Sequence, residues 1–277
     1  MGLVINHNLA AQMAHRNLSA TYRKLSESVN ALSSGLRINS ADDDAAGLAV
    51  RELMRADIAA LGQGVRNASD AISMLQTYDG AAQVIDEKLV RMKELALQAA
   101  TGTYSSSQRT LMDNEFSKMR DEIERIAEAT DFNGIKGLNS SGSIEIHFGT
   151  GNSSAEDYYS ITKQNMTTDS AGLNISDLTI ASAGSAQAAL GTIDSAINSK
   201  DVGRAHFGAM INRLENTVAN LEIQRENIQA AESQISDVDV AHEMASLTRN
   251  QVLAQAGVSM LVQANAIPQM ALSLLGG

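Results

Sequence analysis

Apolar side chains recur at helical spacing near both ends of the chain. The N-terminal stripe consists of Leu18, Tyr22, Leu25, Val29, Leu32 and Leu36. The C-terminal stripe consists of Val240, Met244, Leu247, Ala254, Val258 and Leu261. Steps of three, four and seven residues are typical of amphipathic helices in heptad register, and such a helix buries its apolar stripe against a partner. We therefore predict a helix at each end and expect the two to pair.

A second pair of helical patterns lies inside the first. From Asp44 onward one stripe consists of Ile58, Leu61, Val65, Ala68, Ile72 and Leu75. Beyond Leu75 the stripe continues displaced by one position as far as Ala99, a slip that lets a nearly straight helix keep one face buried. After a break at Gly102, a further amphipathic helix follows. The C-terminal half carries the matching seam Phe207, Ile211, Leu214, Val218, Leu221, Ile228 and Ile235.

The middle of the chain has a different composition. From Asp131 to about Gly184 it is rich in Gly, Ser, Thr and Asn, with alternating apolar runs at residues 144–148 and 159–161. Alternation over a few residues between turn-forming residues is typical of short strands. We interpret this segment as short strands and loops.

The predicted fold is mainly α: a long antiparallel helical bundle or coiled coil formed by the N- and C-terminal halves, with a small β and loop insert in the middle. We expect a terminal helical domain (residues 1–43 with 236–277), an inner helical bundle (44–138 with 186–235) and the insert (139–185). Seam left exposed on the terminal pair would be an assembly surface, so the pattern predicts a self-assembling structural subunit.

Composition and charge narrow the function. Aromatic residues make up only 3% of the chain, which argues against a large cofactor pocket. The net charge is −11 and no Lys/Arg cluster is present, so we expect no nucleic-acid partner. The sequence has neither an apolar window of about 18 residues nor a secretory signal pattern, and we expect no membrane insertion. It has no cysteine, which excludes disulfides and thiolate metal sites.

The sequence offers no constellation for catalysis. The five histidines are scattered and form no Glu-x-x-His or His-x-x-x-His pair that would place two metal ligands on one helix face. The acidic run at residues 42–44 lacks the alternate spacing of a calcium loop, and we interpret it as charge that stabilises a helix N-terminus. Residues 149–151 (GTG) lack the later glycine of a phosphate loop. We predict no catalytic, cofactor or metal site and no enzymatic activity.

Four segments of the chain carry recognisable motifs. They are residues 32–41 (LSSGLRINSA) continued at 43–49 (DDAAGLA), 131–136 (DFNGIK), 251–257 (QVLAQAG) and 263–275 (QANAIPQMALSLL). In order and position they closely resemble bacterial flagellin, the filament protein of the flagellum. With its surroundings, the resemblance covers about residues 1–138 and 186–275.

The resemblance implies a self-assembling subunit of the extracellular flagellar filament that gives swimming motility. It implies terminal helices that line the inner tube of the filament, inner helices in the next shell, and a variable outer domain reduced to the insert. It also implies export in unfolded form through the flagellar type III apparatus. The implied partners are further copies of the chain, a secretion chaperone, and the cap and hook-junction proteins.

Two sets of residues are assigned to packing on this interpretation. Terminal-helix pairing and the filament core are assigned to Leu18, Leu25, Leu32, Leu36, Val240, Leu247, Ala254, Val258 and Leu261. The inner-bundle core is assigned to Ile58, Leu61, Val65, Ile72, Leu214, Leu221 and Ile228.

The resemblance further implies recognition by Toll-like receptor 5 through residues 89–98 (LVRMKELALQ). Arg91 and Leu95 match key positions of the family's motif, and Glu115 matches its acidic partner on the next helix. Val90 replaces the glutamine usual in strong receptor ligands. Because this face, which includes Gln98, also resembles the axial subunit contact of the filament, assembly alone is an alternative explanation.

Three other functions fit parts of the pattern. The hook–filament junction protein shares flagellin-like ends but usually has a different middle. The cytoplasmic hairpin of a chemotaxis receptor is also long, Ala-rich and acidic, but it has a hairpin tip where this chain has Gly/Ser-rich strands. A helical enzyme with a buried carboxylate site would need polar groups on seams that are almost wholly apolar.

Overall fold

The computed structural model describes residues 7–154 and 156–275, with side chains other than those of 267–269 and 271–275. Its helices are α1 (Leu9–Ser34), α2 (Ala45–Ala100), α3 (Ser106–Ala129), α4 (Ala183–Ser236) and α5 (Val240–Leu275). Its strands are β1 (Asp131–Phe132), β2 (Ile135–Lys136), β3 (Ser143–His147) and β4 (Tyr158–Thr162). Helix α1 packs antiparallel to α5 and α2 antiparallel to α4, and the strands form two small sheets. The predicted fold class is confirmed.

Local sequence explains where two of the helices start and stop. At the start of α1, the Asn8 side chain accepts a hydrogen bond from the Ala11 N–H, and α1 ends at Gly35 with a φ of 75°. Asn is a favoured N-cap, and glycine adopts the left-handed C-cap conformation without steric cost. Ser105 and Gln108 form a reciprocal capping box at the start of α3. The predicted break near Gly102 therefore corresponds to the turn between the end of α2 at Ala100 and the capped start of α3.

The two sheets are hairpins of different construction. In the first, Phe132 pairs with Ile135 across a two-residue turn, and Asn133 and Gly134 have φ values of 51° and 80°. Positive φ at both positions defines the tight turn that Asn-Gly favours, which gives a physical reason for the DFNGIK motif. In the second, β3 pairs with β4 from Ser143 opposite Thr162 to His147 opposite Tyr158. These strands coincide with the predicted alternating runs.

The chain divides into two compact units. Unit 1 comprises Met1–Ala56 with Asn227–Gly277, and unit 2 comprises Asp57–Glu226. The three-part division expected from the sequence stays a prediction, although α1 ends at Ser34 and α5 begins at Val240, near its boundaries.

The core of unit 2 lies between α2, α3, α4 and the segment that follows the hairpins. On α2 the displaced stripe is buried at Tyr78, Ala82, Ile85, Leu89, Met92, Ala96 and Ala99. It packs with Phe116, Ile123 and Ala127 from α3 and with Ala189, Ile193, Phe207 and Leu214 from α4. Small residues are interspersed among large ones, which lets the long helices pack closely.

Charged pairs link α2 and α4 in antiparallel order. Lys93 Nζ lies 2.6 Å from Asp194, and Arg204 Nε donates to Asp79 at 2.7 Å. Between them Lys200, whose side chain is only 2% exposed, pairs with Asp86 and with its neighbour Asp201. A buried lysine is tolerated because these carboxylates compensate its charge.

Two close approaches fix the hairpins against α2. The Tyr78 hydroxyl donates a hydrogen bond to the Ile135 carbonyl at 2.7 Å, and its ring lies directly against Gly137. Asn67 Nδ2 donates to the His147 carbonyl at 2.8 Å. One turn away on α2, Gly64 lies against the backbone of Phe148.

None of the helices in the described part of the chain has the length and apolar character of a membrane span.

Candidate functional site

The α1–α5 pair of unit 1 is tied together at both ends. At one end Asn8 Nδ2 donates to the Ala264 carbonyl at 2.8 Å. At the other end the Arg37 N–H donates to the Ser236 carbonyl at 2.6 Å and the Val238 N–H to the Gly35 carbonyl at 3.0 Å. We call this second tie, between residues 35–37 and 235–238, the linker clasp. These bonds fix the antiparallel register of the pair.

The seam between α1 and α5 is narrow and built partly from small residues. Leu18 packs onto Gly257, where a side chain would come within 3.0 Å of the Leu18 Cδ1. Of the residues assigned to this seam, Ala254 is buried and Leu18, Leu25, Leu32, Leu36, Leu247 and Leu261 are half-buried. The other two, Val240 and Val258, are exposed and lie outside it. The seam leaves much of both helices uncovered.

Two residues of the N-terminal stripe lie outside the seam, contrary to the sequence interpretation. Tyr22 and Val29 are both 50% exposed, whereas Ser28 is buried and Thr21 half-buried. Thr21 and Ser28 lie four residues before Leu25 and Leu32, whereas Tyr22 and Val29 lie three residues before them. Both pairs of positions fit a heptad, and hydrophobicity alone favoured Tyr22 and Val29 for the seam. Small residues on α5 indicate that the two helices approach each other closely, and Thr21 and Ser28 are small enough to lie between them.

Large apolar side chains are exposed along the same two helices. On α1 they are Leu9, Met13, Tyr22 and Val29. On α5 they are Val240, Met244, Val252, Leu253, Val258, Met260, Val262 and Met270. Apolar exposure on this scale marks a surface that binds a partner.

The residues assigned to the inner-bundle core fall into two classes. Leu61, Leu214 and Leu221 are buried, and Ile58, Val65, Ile72 and Ile228 are half-buried. Ile228 belongs to unit 1 and the other six to unit 2. Apart from Ala68, the most deeply buried positions of α2 lie further along, from Leu75 to Ala99.

A charged face on α2 and α3 of unit 2 centres on Arg91. Its Nε and Nη2 donate to Glu115 Oε1 at 3.0 and 2.8 Å, and its Nη1 donates to Glu94 at 3.0 Å. The hydrogen bonds with Glu115 and then Glu94 raise the pKa of Arg91 above its ordinary value. Gln98 donates to the Tyr104 hydroxyl at 2.9 Å. The Arg91 side chain is half exposed, so the pair orients the guanidinium but adds little to stability.

Apolar residues flank the Arg91 pair. Val90 is exposed, but Leu95 is only 2% exposed and lies in the core beneath this face. On the same two helices Leu97 and Leu111 are 63% and 69% exposed. Leu97 lies within the segment 89–98, and the helical pattern placed Leu111 on an apolar stripe, but the structure exposes both side chains. Within the described residues, no group of three His, Asp or Glu side chains lies close enough to hold a metal ion.

Comparison with known proteins gives consistent matches over the whole length. The model for the bacterial flagellin N-terminal helical region matches residues 5–143, and that for the C-terminal helical region matches residues 190–275. The flagellin of Halalkalibacterium halodurans is 42% identical over 274 residues, covering 99% of this chain and 100% of the relative. The chain belongs to the bacterial flagellin family.

Further relatives and solved structures agree with this family. Flagellin of Bacillus subtilis is 38% identical over 302 residues, covering 98% of this chain and 99% of the relative. A crystal structure of Bacillus cereus flagellin matches 60% of this chain and 94% of its own with a TM-score of 0.50 at 31% identity. A putative flagellar hook-associated protein from Vibrio parahaemolyticus matches 70% of this chain and 100% of its own at a TM-score of 0.57, but at 15% identity it shows the shared fold alone.

Membership in the flagellin family sets the function of the chain. It is a structural, non-enzymatic subunit that self-assembles into the extracellular flagellar filament and gives motility. The exposed apolar residues of α1 and α5 and the Arg91 face are its two candidate contact surfaces.

Proposed function

We propose that the α1–α5 pair is the filament core of this subunit and that polymerisation buries its exposed apolar side chains. The observation that carries this proposal is the run of exposed large apolar residues along both helices. The seam between the helices, where Leu18 packs on Gly257, is too narrow to cover them. In this proposal residues 1–43 with 236–277 form the inner core, 44–138 with 186–235 the surrounding bundle, and 139–185 the outer insert.

The variant Leu25→Asp tests the filament-core proposal. A charge at this half-buried seam position has no partner and costs several kcal/mol, so the α1–α5 pair should separate. We expect seeded elongation on filament fragments to stop, while the thermal unfolding of unit 2 stays unchanged. Leu261→Asp on α5 should behave in the same way.

The matched control for this test is Ser26→Asp, which adds the same charge at the adjacent, exposed position. It should still elongate seeds, unlike Leu25→Asp. Normal filaments formed by Leu25→Asp would rule out the paired seam as the element that drives assembly.

We also propose that the chain reaches the filament through the flagellar type III apparatus, in unfolded form. The exposed apolar side chains of α5, among them Val252, Met260 and Val262, would give a secretion chaperone a helical binding surface before export. Cap and hook-junction proteins would then contact the subunit at the filament tip and base. Retention of the chain inside cells that lack the export apparatus is the expected result, and its secretion from such cells would contradict the proposal.

We propose, as a second function, that the Arg91 face is recognised by Toll-like receptor 5. The supporting observation is that Arg91 and Glu115 are paired on the surface of α2 and α3, helices that also expose Val90, Leu97 and Leu111. An oriented Arg surrounded by apolar side chains is typical of an interface hot spot. Leu95, being buried, would support this face from below and would not contact the receptor.

Arg91→Ala is the variant that separates receptor recognition from stability. We expect receptor signalling by the monomer to fall by about tenfold or more, because hot-spot arginines carry a large share of binding energy. Arg125→Ala is the control, since Arg125 forms a comparable exposed pair with Glu122 on α3. Equal signalling by the Arg91 variant, the Arg125 variant and the parent would contradict the proposal.

A further inference from the structure

Charge is strictly segregated along the α1–α5 pair. Residues 7–26 and 244–275, which we call the distal part, contain no Asp or Glu. Their charged residues are Arg16, Arg23, Lys24 and Arg249. Residues 27–44 and 232–243, which we call the base, contain Arg37 together with the acids Glu27, Asp42, Asp43, Asp44, Glu232, Asp237, Asp239 and Glu243. Although the net charge of the chain is −11, the distal part of the α1–α5 pair is therefore positive and its base is acidic.

The antiparallel register gathers these charges into two clusters. Because Leu18 packs on Gly257 and Leu36 bridges to Asp237, Arg249 lies level with residues 24–26, within about one helical turn of Arg23. At the base, Glu27, Asp42, Asp43 and Glu243 line one cleft, with Lys24 and Arg37 among its other lining residues. Both clusters belong to unit 1.

Three of the distal cations are exposed arginines. In the described part of the chain, Arg16, Arg23 and Arg249 form no ion pair, and all three are exposed. The Arg37 guanidinium donates a hydrogen bond to the Ile235 carbonyl at 2.7 Å. The distal cations are therefore available to another molecule.

Several base acids stabilise the fold while keeping their charge. Asp43 accepts from the backbone N–H groups of Asn39 and Ser40, and these bonds hold its pKa below the ordinary value. Asp239 accepts from the His242 N–H at the start of α5. Asp42 and Glu243 have no such bond among the described residues, so they can be changed without removing a helix cap.

We propose that this polarity makes the terminal pair an interface for a second copy of the chain, in which the distal cations of one copy meet the acidic base of the next. The proposal rests on the proposed filament core, whose exposed apolar residues would lie between the two charge clusters. With about 1.5 Å of rise per residue, Arg16 and Arg23 lie roughly 17 to 27 Å from the end of α1, so the neighbouring copy would be displaced by about that distance.

The second copy is favoured over another partner because both complementary charges are on the same chain. An identical copy shifted along the axis satisfies each cluster and leaves one of each sign free to bind the next copy, which is a repeating, open arrangement. Unshifted parallel copies would set cations against cations. An antiparallel copy would also match the charges but would close as a dimer, which an elongation assay does not register.

Charge reversal tests the interface with variants of the full chain. The cation variant carries Arg23→Glu and Arg249→Glu, and the acid variant carries Asp42→Lys and Glu243→Lys. A third variant carries all four changes, so its net charge equals that of the parent while its polarity is reversed. We expect each two-site variant to elongate its own seeds about tenfold more slowly than the parent at low salt, because opposed charges steer association.

Two recoveries are expected if the charges meet across copies. An equimolar mixture of the cation and acid variants, and the four-site variant alone, should regain most of the parent rate. Differences among all variants should shrink at about 0.5 M NaCl, where screening is strong. Parent-like elongation by both two-site variants, or failure of the folded four-site variant and the mixture to recover, would overturn the proposal.

The companion assay with Leu25→Asp separates this inference from the filament-core proposal. If Leu25→Asp blocks elongation and the two-site variants elongate normally, only the charge pairing is wrong. If Leu25→Asp also elongates normally, the filament core itself is wrong. Helix content and thermal unfolding of each variant would show whether the α1–α5 pair is still formed.

Discussion

Gly64→Ala is expected to destabilise unit 2 by about 3 kcal/mol, in the upper part of the range for an overpacked site. A Cβ at position 64 would overlap the backbone carbonyl of Phe148, closer than a carbon and an oxygen can approach. Backbone cannot rotate aside as a side chain can, so the β3–β4 hairpin would have to move off α2. The hydrogen bond from Asn67 to the His147 carbonyl would be lost with it.

The control for this prediction is Gly80→Ala on the same helix. A Cβ at position 80 meets nothing within 4 Å, and alanine is favoured over glycine in a helix interior. We expect Gly80→Ala to stabilise unit 2 by about 0.5–1 kcal/mol. Urea unfolding of both variants measures the difference, and equal effects of the two substitutions would show that the hairpin does not contact α2 at Gly64.

Tyr78→Ala is expected to have the largest effect on stability, a loss of about 3–5 kcal/mol. The ring is 1% exposed and contacts Gly137, and its centroid lies 6.2 Å from that of Phe207. Removing it leaves a cavity where α2, α4 and the first hairpin meet. The free energy of unfolding from denaturant titration gives the measurement.

Tyr78→Phe separates the ring from its hydroxyl and also tests a pH dependence. Losing the bond to the Ile135 carbonyl should cost only about 1 kcal/mol. Burial, and then the charge of Asp131, raise the pKa of Tyr78 above its ordinary value of 10.0. The contribution of the neutral phenol is therefore complete below the unfolded-state pKa and is lost as the pH rises through the folded-state pKa. Tyr78→Phe should be less sensitive to alkaline pH than the parent, and identical alkaline profiles would contradict this assignment.

Much of the architecture was predictable because long periodic stripes specify helices strongly. The slip beyond Leu75 predicted a single long α2, and the strands fell on the two alternating runs of the insert. Positions within a stripe were harder to predict. Tyr22 and Ser28 show why: hydrophobicity favours tyrosine in a seam, but the close approach of α1 to Gly257 and Ala254 accommodates small residues instead.

The contact surfaces were less accessible to sequence reasoning than the cores. Leu95 fits a motif and also the buried stripe, and only the fold places it beneath the Arg91 face. Leu97 lies in the segment 89–98 and Leu111 on the apolar stripe of α3, and only the fold shows that both side chains are exposed. The charge segregation of the terminal helices is visible in the sequence, but its arrangement into two clusters depends on the register of the pair.

The linker clasp also has a consequence for how the terminal helices find each other. Ser34 and Val240 are separated by some two hundred residues of chain, and closing so long a flexible loop is entropically unfavourable. Once α2 and α4 have paired, however, residues 35–37 and 235–238 are held at the ends of a folded segment, and α1 and α5 resemble the two arms of a short hairpin. On a logarithmic dependence of closure entropy on loop length, this lowers the cost by roughly 2–3 kcal/mol. Pairing of α2 with α4 therefore lowers the entropic cost of pairing α1 with α5, and we expect α1 and α5 to pack progressively from the linker clasp toward their far ends.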